Sequence, residues 1–243
     1  MSCDKCKEGF RWDGTPIGKE TTLAGLNTYV TGTSKTAAIL IVHDIFGWTA
    51  NNSRLLADQF AELAGATVWV PDFFGGEVVA EDLLLTEELR EKFNIPAFIA
   101  RHNKEKRYPE ISAAAKALKA EYPKLGAVGY CYGGWAVFKL GNDPALVDAV
   151  VGCHPSMVEK SELDGLTVAT SIHAPEEDFT FLPDMKEHAN KVIPTLGIPY
   201  EYVHFPGLQH GFASRGDRNN KKQADGMERS MRGIGHFFTE FLH

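Results

Sequence analysis

The chain has 243 residues, 44% of them hydrophobic and 23% charged, which is enough for a substantial core and ordinary for one α/β domain. Against 25 lysines and arginines stand 32 acidic residues, a formal net charge of −7 that argues against a nucleic-acid partner. No apolar run approaches membrane-spanning length and the first residues lack the apolar centre of a secretory signal, so a soluble, cytoplasmic protein is expected, with no membrane partner.

Taken in chain order, residues 1–26 read as an N-terminal tail packed on a single domain that spans 1–243. Cys3 and Cys6 make a C-x-x-C pair, but no second pair completes a tetrahedral metal site. Ile39 to Val42 is strongly β-prone and predicts a buried strand. A helix follows over Asn51 to Ala64, then a strand from Ala66 to Pro71. The stretch Asp72 to Ala100 is less regular and reads as a cap-like excursion. A helix from Ile111 to Tyr122 carries compact alanines, and strands are expected over 125–128, 147–151, 166–173 and 200–205. Helices are expected over 135–140, 183–192 and 227–242, the last with apolar residues at near-helical spacing. Lys221 and Lys222 read as part of a solvated loop. Alternating β and α units with near-continuous apolar strands indicate an α/β fold, a mostly parallel sheet with helices on both faces.

The most informative stretch is Gly129-Tyr130-Cys131-Tyr132-Gly133-Gly134. It lies between an apolar strand and an apolar helix, the setting of a nucleophile elbow with cysteine in the nucleophile's place. A strained turn closing on a helix needs residues without bulk around it, and the glycines supply that. A thiol facing a helix N-terminus is biased toward thiolate. Ligands of open α/β sheets bind beyond the carboxyl ends of the strands, and Asp44, Asp72, Cys131, His154, Asp178 and His210 all follow predicted strands. Cys131, Asp178 and His210 occur in the order nucleophile, acid, histidine. His210 would take the thiol proton and later activate water, and Asp178 would fix its tautomer. Glu176, Glu177 and Asp184 are neighbouring acids that compete for that last role. Backbone N–H groups for an oxyanion are expected from Tyr132 and from either Ile45 or Phe46. Trp48, Phe46, Phe73, Phe74, Trp135, Phe179 and Phe212 flank the rim and are candidates for an apolar pocket. Cys153 reads as a packed strand-end residue, and no motif asks for a metal or an organic cofactor.

These residues resemble the dienelactone hydrolase (carboxymethylenebutenolidase) family of α/β hydrolases. The likeness rests on His43-Asp44-Ile45-Phe46-Gly47, Val70-Pro71-Asp72-Phe73-Phe74, the Gly129 to Gly134 elbow, Glu177-Asp178 and His210-Gly211-Phe212. It implies an α/β-hydrolase fold and a Cys131-Asp178-His210 triad that cleaves a small lactone or carboxylic ester through a thioester, with Ile45 as an oxyanion donor. Two departures stand out. Bacterial-type members carry a glutamate where this chain has the shorter Asp44. They also carry an arginine soon after the P-D motif, where this chain has Phe74-Gly75-Gly76. Arg215 is a counterpart of their second arginine, which grips a substrate carboxylate. A site with one fewer guanidinium is expected to discriminate less for anionic substrates. A lactone-binding protein without catalysis, or a hydrolase of thioesters or polysaccharides, is the competing expectation.

Overall fold

The structure is a computed structural model in which residues 9–80 and 87–243 are described; Cys3 and Cys6 lie outside the described residues. Its centre is made of strands buried on both faces. In β3 (Ala37–Val42), Ala38, Leu40 and Val42 enter one core, while Ala37, Ile39 and Ile41 enter the other. Successive side chains of a strand point to opposite faces, so a doubly covered strand favours apolar residues at every position. The same constraint shapes β5 (Lys124–Tyr130), buried after its first residue, and β6 (Ala149–Cys153), buried throughout.

Eight strands form one sheet in the order β1-β2-β4-β3-β5-β6-β7-β8, completed by β1 (Lys19–Leu23), β2 (Leu26–Thr31), β4 (Thr67–Pro71), β7 (Ala169–Glu177) and β8 (Tyr200–Gln209). β2 pairs antiparallel with β1 and β4, and every other neighbouring pair is parallel. One core lies under α4 (Lys104–Glu121), α5 (Gly133–Leu140) and α7 (Pro183–Val192), and includes Ile111, Leu118, Trp135 and Phe138. The other lies under α1 (Asn51–Leu63) and α9 (Lys221–Leu242), and includes Phe60, Ile234, Phe237 and Phe238. This is an α/β-hydrolase arrangement. Because β3 and β5 to β8 run parallel, their carboxyl ends open on one rim. No helix among the described residues is long and apolar enough to cross a membrane.

Several boundaries differ from the sequence expectation, each for a local reason. Residues 19–26 do not belong to a tail but build a sheet-edge hairpin, turning at Ala24 and Gly25 with φ of 50° and 83°. Only Leu23 of β1 is buried, so this strand carries almost no apolar signal. Upstream, the Trp12 indole N–H donates to the Gly216 carbonyl at 2.9 Å. Helix α4 starts seven residues earlier than its apolar pattern, because Asn103 caps it by accepting from the Lys106 N–H at 3.0 Å. In the same way Asn220 caps α9, so Lys221 and Lys222 open a helix instead of lying in a loop. In the Asp72 to Ala100 excursion the described parts include α2 (Glu87–Lys92) and α3 (Ile95–Arg101).

The elbow depends on close backbone packing. A Cβ on Gly133 would collide with the Val42 carbonyl oxygen of β3, and one on Gly129 would collide with the Gly133 carbonyl. Neither obstacle is a side chain that can swing aside. Gly133→Ala is therefore expected to lower stability by about 1–3 kcal/mol, read as a fall in the urea midpoint. An unchanged midpoint would show that the strand and helix separate easily.

Candidate active site

Cys131 leaves β5 and enters α5 with φ of 48°, the left-handed region that a residue with a side chain rarely adopts. Its backbone is fully used: the N–H donates to Cys153 O at 3.1 Å, and its carbonyl accepts from Gly134 N at 3.0 Å and Ser156 N at 2.8 Å. Those bonds hold a conformation that costs on the order of 1–3 kcal/mol. The thiol itself is buried.

The pairing of β7 with β8 brings the acid and the histidine together. Glu177 and Gln209 are register partners, and the His210 N–H donates to Glu177 O at 3.1 Å. The next residue on one strand is Asp178 and on the other His210, so their side chains emerge side by side. Asp178 Oδ1 lies 3.0 Å from His210 Nδ1, with both side chains sealed from solvent. The same oxygen accepts from Thr180 N at 2.8 Å, Phe181 N at 3.1 Å and Thr180 Oγ1 at 2.8 Å. Two of the competing acids are occupied at the surface: Glu177 with Gln209 Nε2, and Glu176 with the Gly207 N–H.

The electrostatics follow from burial against charge. Burial pushes the Asp178 carboxyl up, but the His210 charge and the hydrogen bonds outweigh it, and its pKa falls below the usual value. Burial pushes the Cys131 thiol up, yet His210 and then Arg215 reverse this, and the thiol is more acidic than usual. Burial alone would lower His210; Cys131 and Asp178 raise it to about 9. Both shifts favour the thiolate–imidazolium pair over the neutral thiol and imidazole.

The remaining rim residues fall in different places. Asp44 Oδ1 accepts from the Phe46 N–H at 3.0 Å, so that N–H is already engaged. Among the described residues, the Ile45 and Tyr132 N–H groups donate to no protein acceptor. Asp44 Oδ2 accepts from Ser214 Oγ at 2.9 Å and from Arg215 Nη1 at 2.8 Å. Both its oxygens are thus hydrogen-bonded, and Arg215 is its buried ion-pair partner. The Phe46 ring lies 5.8 Å from the Arg215 guanidinium carbon. Phe74 is buried in a cluster with His43, Phe98, His102 and Tyr132. The Trp48 ring stacks under Arg54, which pairs with Glu20 of β1. Trp135 is packed inside the core, whereas Phe179 meets the His210 ring at 4.8 Å.

Three further residues stand around this thiol and histidine. Thr180 Oγ1 sits 3.1 Å from His210 Nδ1 as well as on Asp178. The spacing Asp-x-Thr is an Asx-turn signal that points to it. Ser156 Oγ lies 3.5 Å from Cys131 Sγ and donates to Thr180 Oγ1 at 3.1 Å. His154, with φ of 37°, places its ring 4.9 Å from that of His210. Burial and then the neighbouring charge of His210 hold it well below the usual histidine value, so it stays neutral.

An α/β-hydrolase sheet with an elbow cysteine, a histidine and an aspartate on one rim defines a class. The model of the dienelactone hydrolase family matches residues 26–242, and the chain belongs to that family of hydrolases. It is 29% identical to the hydrolase tropI of Talaromyces stipitatus, over 100% of this chain and 96% of that relative. It is also 29% identical to the carboxymethylenebutenolidase homolog of Homo sapiens, over 86% and 85%. The crystal structure of dienelactone hydrolase from Anabaena variabilis shares the fold with a TM-score of 0.65 at 15% identity, covering 93% of this chain and 98% of that one.

The Asp44–Arg215 pair yields a direct prediction. Removing one partner leaves an uncompensated buried charge, so Arg215→Met should cost about 3–5 kcal/mol in folding. Adding Asp44→Asn should recover much of that loss in chemical denaturation. An additive double variant would show that the two charges are not coupled.

Proposed function

We propose that the chain hydrolyses small, neutral carboxylic esters or lactones, with Cys131 as nucleophile and a thioester intermediate. The observation that carries this reading is the strained elbow thiol combined with a buried His210 held on Asp178 at 3.0 Å. Thiolate attacks the substrate carbonyl, and its oxygen becomes an oxyanion directed at the Ile45 and Tyr132 N–H groups. Collapse breaks the ester C–O bond, and the departing alkoxide takes the proton from His210 Nε2. Neutral His210 then removes a proton from water, whose oxygen attacks the thioester. The second collapse expels the Cys131 thiolate, the acid leaves, and the imidazolium is restored. Asp178 keeps the Nδ1 proton in place, so Nε2 is always the nitrogen that works.

The preference for neutral substrates follows from the cations. Arg215 Nη1 is bonded to Asp44 Oδ2, which offsets its charge, and Arg107 donates to both carboxylate oxygens of Glu110 and to His102 Nδ1. A substrate carboxylate would have to compete with partners already at hydrogen-bond distance. The aromatic surroundings, Phe179 beside His210 and Phe74 beside Tyr132, suit an apolar acyl group. Partnership is accordingly with a small-molecule ester or lactone.

Hydrolysis of a neutral p-nitrophenyl ester and of dienelactone by wild type and Cys131→Ala tests this. The neutral ester is expected to show the higher kcat/KM, and the variant to lose roughly a thousandfold or more. Undiminished turnover by folded Cys131→Ala would remove the thiol mechanism. A tenfold or greater advantage for dienelactone, on the order of 1.4 kcal/mol in transition-state binding, would remove the neutral preference.

A further inference from the structure

Ser156 occupies a place that packing alone does not require. It is buried at 6% exposure, and its N–H donates to the Cys131 carbonyl at 2.8 Å, which fixes its distance from the elbow. Its hydroxyl lies between two groups, Cys131 Sγ at 3.5 Å and Thr180 Oγ1 at 3.1 Å. The Thr180 hydroxyl has one proton, and its shortest contact is the Asp178 carboxylate at 2.8 Å. A carboxylate only accepts, so Thr180 donates there and presents lone pairs to Ser156. The Ser156 proton therefore has two acceptors, one whose charge is constant and one whose charge changes through the reaction.

We propose that the Ser156 hydroxyl donates to the Cys131 sulfur whenever that sulfur is negative and turns to Thr180 when it is neutral or acylated. The inference rests on Cys131 being the nucleophile. Sulfur is negative twice in the cycle: before attack on the substrate, and when thiolate leaves the second tetrahedral intermediate. A donor at its side stabilises both, because hydrogen bonds to an ionised acceptor are about twice as strong as neutral ones. No bond to Ser156 is made or broken: the thiol proton resides on His210 Nε2, and Ser156 keeps its own. Thr180 contributes by holding the hydroxyl within reach during the neutral phase, so the switch is a rotation about one bond. His210, Arg215 and Asp44 also act on the sulfur's charge, and these remain in place when only the Ser156 hydroxyl is deleted.

The pH dependence of Cys131 alkylation by iodoacetamide, followed by peptide mass spectrometry, is the measurement, made on wild type, Ser156→Ala and Ser156→Thr. Loss of the hydroxyl leaves the backbone bond to the elbow intact, so a purely structural residue would not move the midpoint. The expected result is an upward shift of about one pH unit in Ser156→Ala, a tenfold loss of thiolate below the midpoint, with kcat reduced and the midpoint restored in Ser156→Thr. An unmoved midpoint in folded Ser156→Ala, with Cys131→Ala inactive, overturns this inference alone. Full activity of Cys131→Ala overturns the nucleophile reading and this one with it.

Discussion

Asp178 is a carboxylate sealed from water, and the arrangement around it follows from how that charge is satisfied. A buried charge without partners costs several kcal/mol. Here one oxygen gathers two backbone N–H groups, a threonine hydroxyl and the His210 ring. Cys131 and that negative charge together raise His210, and the resulting imidazolium in turn lowers Cys131. Each group is tuned by the next, and burial strengthens every step because few water dipoles screen them. Neutral His154, packed against His210, adds no competing positive charge.

The sheet makes this chain of charges possible by register. Parallel pairing of β7 and β8 sets Glu177 opposite Gln209, and the following residues then meet at 3.0 Å. Parallel pairing of β5 and β6 sets Tyr130 opposite Cys153, so Cys131 and the His154-Pro155-Ser156 turn leave the sheet together. Close approach of Gly133 to β3 brings the elbow against the Asp44-Ile45 turn, where an oxyanion donor is expected. Rigid strands fix the distances, while short turns beyond them carry the chemistry.

Much of this was legible in the residues. The elbow was readable because backbone contact excludes every side chain but hydrogen at Gly129 and Gly133, whatever the surrounding sequence. The central strands were readable because double burial leaves them uniformly apolar. Other features had no local signature. Asp44 and Arg215 are 171 residues apart, and nothing nearby announces that each is the other's partner. The β1–β2 hairpin is an edge whose first strand is mostly exposed, so its residues resemble a loop. Trp48 sits in a rim motif yet turns to Arg54, a choice made by tertiary packing. Thr180 was hidden for a related reason: short hydroxyl side chains occur in every turn, and only the fold brings it and Ser156 between the thiol and the acid.

The most direct test of the account is to quench the reaction of a neutral p-nitrophenyl ester in acid within a turnover and map the acyl group by peptide mass spectrometry. The account predicts one acyl adduct, on the peptide containing Cys131, that appears with the release of nitrophenol and disappears as hydrolysis completes. Turnover with no adduct there, or with an adduct on another residue, would contradict it.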